Sequence, residues 1–165
     1  MSARIVALDA THRRDDFDCG DAALNDFLRC YARQQQERDF SRTYVVLGDD
    51  AVTVTGFVSV SAAQVGTPSL PEQLKLPRYP VPALRIGRLA VDRRAQGRSL
   101  GRELIRFALD LSLELAGRVG IYAVVIDAKN EAAREFYERL GFVRFRDSPL
   151  SLFLPIATLR KALGG

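Results

Sequence analysis

Hydrophobic positions along the 165-residue chain change period repeatedly, and each change marks an element. Arg4 to Leu8 reads as a first strand, followed by a polar, turn-rich stretch from His12 to Asp21. Asp21 suits a helix N-cap, and Leu24, Phe27, Leu28 and Tyr31 then recur at helical spacing, which predicts one or two helices ending before Phe40. Thr43 to Leu47 and Val52 to Val65 read as strands joined by a hairpin turn at Gly48, Asp49 and Asp50. Pro68, Pro71, Pro77, Pro80 and Pro82 are too dense for a regular element, so 66–82 is expected as a long loop with at most a short helix at Glu72 to Leu76. Beyond it the pattern predicts a strand at Leu84 to Val91, a helix at Leu100 to Leu115 and a buried strand at Ile121 to Ile126. Asn130 precedes a helix, Glu131 to Leu140, which Gly141 stops, and strands at Phe142 to Phe145 and Ser151 to Ile156 complete the pattern. This alternation predicts an α/β fold around a mixed sheet, and the length and 47% hydrophobic content predict one domain over 1–165.

Composition narrows the function classes. Ala51 to Leu70 lacks charge, yet Val52, Val54, Val58 and Val60 alternate with Thr, Gly and Ser before Pro68, the mark of a strand rather than a membrane span. Met1 to Asp16 is mixed and charged, unlike a secretory signal, so a cytoplasmic protein is expected. Cys19 and Cys30 are too far apart for a CxxC pair and are expected as reduced, buried structural thiols. A single histidine, His12, gives no support to a multi-histidine metal site or a Ser-His-Asp triad, and points to metal-free chemistry.

The net charge is +4, and only Lys75, Lys129 and Lys161 among the bases are lysines. Arg85, Arg88, Arg93, Arg94, Arg98, Arg102 and Arg106 crowd one segment opposed only by Asp92 and Glu103, and planar guanidinium forks suit phosphate. That segment, LRIGRLAVDRRAQGRSLGRELIRFAL, runs from a strand through an Arg/Gly loop into an amphipathic helix. The first N–H groups of a helix lack intrahelical partners and sit at the positive end of its dipole, so Gln96 to Gly101 form a candidate pyrophosphate cradle. Arg93, Arg94, Arg98 and Arg102 add charge.

The loop resembles motif A of the GNAT N-acetyltransferases, with Gln96, Ser99 and Gly101 in the motif's positions. Ser99 stands where that family usually has glycine, and serine tolerates a left-handed backbone poorly, so coenzyme binding is expected to be weaker or differently oriented. A second segment, IDAKNEAAREFYERLGFVRF, is similar to the family's C-terminal motif through Asn130, Ala133, Tyr137, Gly141 and Phe142. The resemblance implies a GNAT fold, a central mixed, mostly antiparallel twisted sheet flanked by helices, with acetyl-CoA as cosubstrate. It also implies coenzyme contacts at Leu89, Ala90, Val91, Gln96, Gly97, Arg98, Ser99, Leu100, Gly101, Arg102 and Asn130, although a plain N-cap equally explains Asn130. In that family a tyrosine at the place of Tyr137 faces the coenzyme sulfur and serves as general acid, whereas Ala133, Phe136, Tyr137 and Leu140 by themselves form only an apolar helix stripe. Direct transfer to an amine follows, with N–H groups near Leu89 to Val91 steadying the oxyanion.

The segment FDCGDAALNDFLRCYARQQQERDFSRTYVVL and the strand end RLAVD are similar to the acetyltransferase toxins of bacterial toxin-antitoxin pairs, which acetylate the α-amine of aminoacyl-tRNA and block translation. On that resemblance Arg29, Arg33, Arg38, Arg85 and Arg88 are candidates for guiding the tRNA backbone. It further implies a ribbon-helix-helix antitoxin, contact with DNA only through that antitoxin, and a homodimer. The competing expectations are a GNAT acting on a protein N-terminus, polyamine or small-molecule amine, and a non-catalytic coenzyme A sensor.

Overall fold

The computed structural model describes residues 4–163. Seven strands form one mixed, mostly antiparallel open sheet flanked by helices, in the order β1-β2-β3-β4-β5-β7-β6. The strands are β1 (Ile5–Ala7), β2 (Arg42–Leu47), β3 (Val54–Val65), β4 (Val81–Val91), β5 (Ala123–Asp127), β6 (Val143–Arg144) and β7 (Ser151–Pro155). The helices are α1 (Ala22–Asp26), α2 (Ala32–Glu37), α3 (Leu100–Ala116), α4 (Glu131–Arg139) and α5 (Ile156–Ala162). The chain divides into two compact units, 1–61 with 87–108 and 62–86 with 109–165.

In the first unit, β1 and β3 flank β2 in antiparallel register, with Val6 opposite Val45 and Val45 opposite Phe57. Its core gathers Leu8, Phe17, Phe27, Leu28, Ala32, Val45, Val54, Phe57 and Ala90, with the Phe57 ring edge-on to Phe17 and stacked with Phe27. The Asp21 side chain caps α1 by accepting from the Ala23 and Leu24 N–H groups. Between α1 and α2, Phe27–Tyr31 is a π-helical turn in which the Ala32 N–H donates to the Phe27 carbonyl. The extra residue shifts the helix phase, so the apolar stripe resumes at fully buried Ala32 and leaves Tyr31 exposed, against the expectation from spacing. The same shift leaves Cys30 exposed, and Cys19 is only half-buried, which corrects the expectation of two buried thiols. His12, by contrast, is buried, its Nδ1 accepting the Asp9 N–H at 3.1 Å.

In the second unit, β4 pairs with β5 in parallel from Ala83 opposite Ala123 to Ile86 opposite Ile126, and β5 pairs antiparallel with β7. The proline-rich segment holds two short 3-10 turns, at Thr67–Ser69 and Glu72–Leu74. β4 begins at Val81 and runs through Pro82, inside the expected loop. The pairing with β5 starts one residue later, and Pro82 contributes only its carbonyl, which accepts the Tyr122 N–H at 2.8 Å. β5 begins at Ala123, two residues later than expected. α5 was not legible in the pattern; it follows Pro155 and buries Ile156 and Leu159. Gly141, with φ of 106°, stops α4 as expected.

Candidate active site

The loop from β4 to α3 is shaped by contacts within the chain. Asp92, at the end of β4, is 2% exposed and accepts four hydrogen bonds: from the Asp18 N–H at 3.1 Å, the Arg94 N–H at 2.9 Å, and Arg94 Nε and Nη2 at 3.0 and 3.1 Å. Burial, the largest influence on this carboxyl, pushes its pKa up, but the Arg94 and Asp18 donors and the Arg94 charge together hold it below its ordinary value. Asp18 in turn accepts from the Gly20 N–H and from Asn25 Nδ2, and its carbonyl takes the Arg93 N–H at 2.8 Å. Gly20 has φ of 91° and presses against the Arg93 side chain, where a Cβ would meet Nε at 3.2 Å. Thus the Phe17-Asp18-Cys19-Gly20 turn and the strand end at Asp92 are two halves of one clamp. Sequence reasoning missed it; its one signal was an aspartate closing an apolar strand two residues before an arginine.

Arg93 and Arg94, expected to add charge to the cradle, are turned to Asp18 and Asp92 instead. Gln96 is also engaged: its N–H closes the 3-10 turn Arg93–Ala95, and its side-chain amide donates to the Val91 carbonyl at 3.0 Å. The N–H groups without a partner among the described residues therefore run from Gly97 to Arg102, one residue later than expected. Gly97 and Ser99 both have positive φ, 85° and 63°, so Ser99 occupies the left-handed conformation that makes glycine usual there. Gln96, Gly97, Arg98 and Ser99 are exposed, and beyond the adjoining backbone nothing lies within 4 Å of where a Cβ would stand at Gly97 or Gly101. An open run of N–H donors at the N-terminus of a long helix, with Arg98 and Arg102 free of ion pairs among the described residues, has the chemistry that suits an anion.

β4 supplies a second row of donors. The Asp92 N–H donates to the Thr55 carbonyl of β3 at 2.8 Å. Alternation along the strand then turns Arg88 and Ala90 toward β3, and Leu89 and Val91 away from it. Among the described residues β4 has no β5 partner past Ile86, so the outward Leu89 and Val91 N–H groups are placed to meet an oxyanion or an amide carbonyl.

In the second unit Tyr137 lies on α4, 7% exposed, with Phe136 and Phe142 rings at 5.4 and 6.0 Å. No described residue hydrogen-bonds its phenol, and burial pushes its pKa up to about 12. It stays protonated throughout the neutral range, fit to give a proton and unfit to take one. The Asn130 side chain accepts the Ala133 N–H at 2.9 Å, so its oxygen serves the helix cap.

The five candidate tRNA arginines divide by partner. Arg29 donates to the Phe17 carbonyl, Arg33 pairs with Glu37 at 3.1 Å, and Arg85 pairs with Asp127 at 2.9 Å. Arg38 and Arg88 lie over the Phe40 and Phe27 rings at 4.5 and 4.1 Å, a contact that positions a guanidinium while leaving its N–H fork available. Among the described residues there is no cluster of three or more His, Cys, Asp or Glu able to hold a metal, and no helix long and apolar enough to cross a membrane.

The model of the acetyltransferase (GNAT) family matches residues 9–142. A probable toxin TacT from Sinorhizobium fredii is 30% identical over 163 residues, 93% of this chain and 90% of its own length. A tRNA-acetylating toxin from Mycobacterium tuberculosis is 33% identical over 150 residues, 90% of this chain and 89% of its own. Among solved structures, AtaT complexed with acetyl-methionyl-tRNAfMet aligns with a TM-score of 0.90 at 29% identity over 98% of this chain and 99% of that one. A tyrosine-to-phenylalanine mutant of AtaT bound to the C-terminus of the antitoxin AtaR aligns with a TM-score of 0.85 at 26% identity over the full length of both chains.

Proposed function

Because the chain belongs to the acetyltransferase (GNAT) family, we propose that it transfers the acetyl group of acetyl-CoA to the α-amine of aminoacyl-tRNA and thereby blocks translation. The observation that carries this reading is the open donor run from Gly97 to Arg102, in a chain that matches a probable toxin and a tRNA-acetylating toxin over nine-tenths of its length. The reading treats 1–165 as one acetyltransferase domain.

In this reading the Gly97 to Arg102 N–H groups and Arg98 hold the pyrophosphate, and the Leu89 and Val91 N–H groups take the pantetheine amide and the thioester oxyanion. Tyr137 gives its proton to the departing thiolate. The dry surroundings that raise the phenol also favour the protonated thiol, so donor and acceptor move together. Asn130 acts chiefly by starting α4. Arg38 and Arg88, ring-held with free forks, contact the tRNA backbone, whereas Arg29, Arg33 and Arg85 act first on their own chain. An α-amine next to an ester carbonyl is less basic than a lysine amine, whose reference pKa is about 10.4, so more of it is nucleophilic at neutral pH.

AtaT has been solved with its antitoxin, and a partner of the same kind is part of the proposal. In its finer form that partner is a ribbon-helix-helix antitoxin through which alone the protein meets DNA, and the enzyme is a cytoplasmic homodimer.

The test is acetyl transfer from labelled acetyl-CoA to bulk charged tRNA, with deacylated tRNA, Tyr137→Phe protein and a polyamine and peptide panel alongside. Label on charged tRNA that is lost in the mutant is the expected result. Label on polyamines or peptides alone would keep the family's chemistry and discard the toxin, and no transfer to any amine would favour a coenzyme sensor.

A further inference from the structure

Direct transfer leaves one proton unassigned. As the amine attacks, its nitrogen must lose a proton, and Tyr137, protonated, serves the departing thiolate in the reading above. The sequence offers no histidine for the task outside the buried His12.

A carboxylate outside the described machinery answers this need. Asp127 is the last residue of β5, one position beyond the final β4–β5 pair, Ile86 with Ile126. Its Oδ2 accepts from Arg85 Nη1 at 2.9 Å and its Oδ1 from Ser151 Oγ at 2.7 Å, while Ser148 Oγ lies 3.0 Å from Ser151 Oγ. Three strands thus converge on one carboxylate: Arg85 from β4, Asp127 from β5 and Ser151 from β7. Each oxygen has one protein donor and retains further lone-pair capacity, and the side chain remains 59% exposed. The group is aimed by the sheet yet open to a ligand.

Strand parity sets its face. Asp127 is opposite Ser151 and shares a face with Val125 and Phe153, which belong to the cluster with Ala83, Val65 and Leu70. Leu154, paired with Val124, points to the other face, and it is there that α4 ends: a Cβ at Gly141 would stand 3.9 Å from Leu154 Cδ1. Asp127 and the helix that carries Tyr137 are therefore on opposite faces of the same strands. The amine and the thiolate occupy different positions about the carbonyl carbon, so an acceptor on one face and a donor on the other can serve them separately.

Resting on the acetyl-transfer reading above, we propose that Asp127, aimed by Arg85 and Ser151, is the general base that takes the acceptor amine's proton, directly or through one water. The N–C bond forms as the N–H proton passes to the Asp127 carboxylate. The C–S bond breaks as the Tyr137 proton passes to sulfur. Asp127 then releases its proton to water and the Tyr137 phenolate regains one, so the sum is amine plus thioester giving amide plus thiol.

The experiment compares wild type, Asp127→Asn and Asp127→Ala under saturating acetyl-CoA, using whichever amine wild type acetylates, with acetyl-CoA affinity by calorimetry as the measure of an intact fold. The expected result is a loss of kcat on the order of 100-fold or more in Asp127→Asn with acetyl-CoA affinity unchanged. Added formate, a small carboxylate that fits the vacated space, should restore at least tenfold of the loss in Asp127→Ala. Turnover within about threefold of wild type, or a loss that formate leaves untouched, overturns the assignment. If wild type acetylates polyamines and not charged tRNA, the substrate reading fails while this test still decides the role of Asp127.

Discussion

Replacing Asp92 with alanine probes whether the loop from β4 to α3, the proposed coenzyme cradle, is built by its clamp. The carboxylate is nearly inaccessible and receives two main-chain donors, the Asp18 and Arg94 N–H groups, besides two guanidinium donors. Leaving a buried N–H donor unpaired costs about 1–3 kcal/mol. The Arg94 side chain is 69% exposed and regains water, so its release adds little. The two main-chain donors then set the loss at about 2–6 kcal/mol. With an unfolding entropy of about 2.1 cal/mol/K per residue, each kcal/mol moves the midpoint of a chain this size by about 3 °C, so Tm should fall by about 6–18 °C. The same change frees the turn that presents Gly97 to Arg102, and acetyl-CoA affinity should fall with it. Thermal melts followed by circular dichroism and calorimetric titration with acetyl-CoA measure both. The pH dependence carries a sign. The folded-state pKa of Asp92 lies below its ordinary value of 3.8, so its contribution is fully present above that value and disappears as pH falls through the folded pKa. The gap in Tm between wild type and variant should be constant from pH 5 to 7 and narrow in stronger acid. A variant melting within about 2 °C of wild type at neutral pH, or a gap that widens in acid, would refute the argument.

Tyr137→Phe should lower kcat by about 10²–10⁴-fold with acetyl-CoA affinity unchanged, and the wild-type pH profile should show no alkaline fall from phenol ionisation below about pH 10, since the phenol is pushed up to about 12. An alkaline limb near pH 9 that vanishes in the variant would contradict the burial of this group. Ser99→Gly relieves a left-handed serine worth about 1–2 kcal/mol but loosens the unfolded chain by about 0.5–1 kcal/mol, so Tm should stay level or rise slightly and acetyl-CoA should bind as well or tighter. A collapse in affinity would mean that the hydroxyl itself holds phosphate. Replacing Arg38 and Arg88 together by glutamine should flatten the slope of log affinity for charged tRNA against log salt by about 1.4–1.8, with acetyl-CoA affinity untouched; an unchanged slope would remove both from the RNA surface.

Much of this molecule is written in short-range pattern. Apolar alternation marks most of β2, β3, β4 and β5, helical spacing marks α3 and α4, and Asp21, Asn130 and Gly141 announce the helix ends where they occur, because caps and amphipathic periods depend on residues within a turn or two of one another. The loop before α3 was legible as a strand, a Gly/Arg turn and a helix in succession, whereas the left-handed demand on Ser99 came from the resemblance to a motif that usually has glycine there. What sequence could not decide was where each charge goes. Arg93 and Arg94 read as phosphate ligands until the fold turned them to Asp18 and Asp92, and Arg85 read as an RNA contact until parallel pairing placed it beside Asp127. The π turn that exposes Cys30 and Tyr31, and the convergence of β4, β5 and β7 on one carboxylate, likewise have no local signature. A guanidinium is drawn to whichever anion or ring the fold brings within reach, and that neighbour can lie far along the chain, 42 positions away for Arg85 and Asp127, where only the strand order and register determine it.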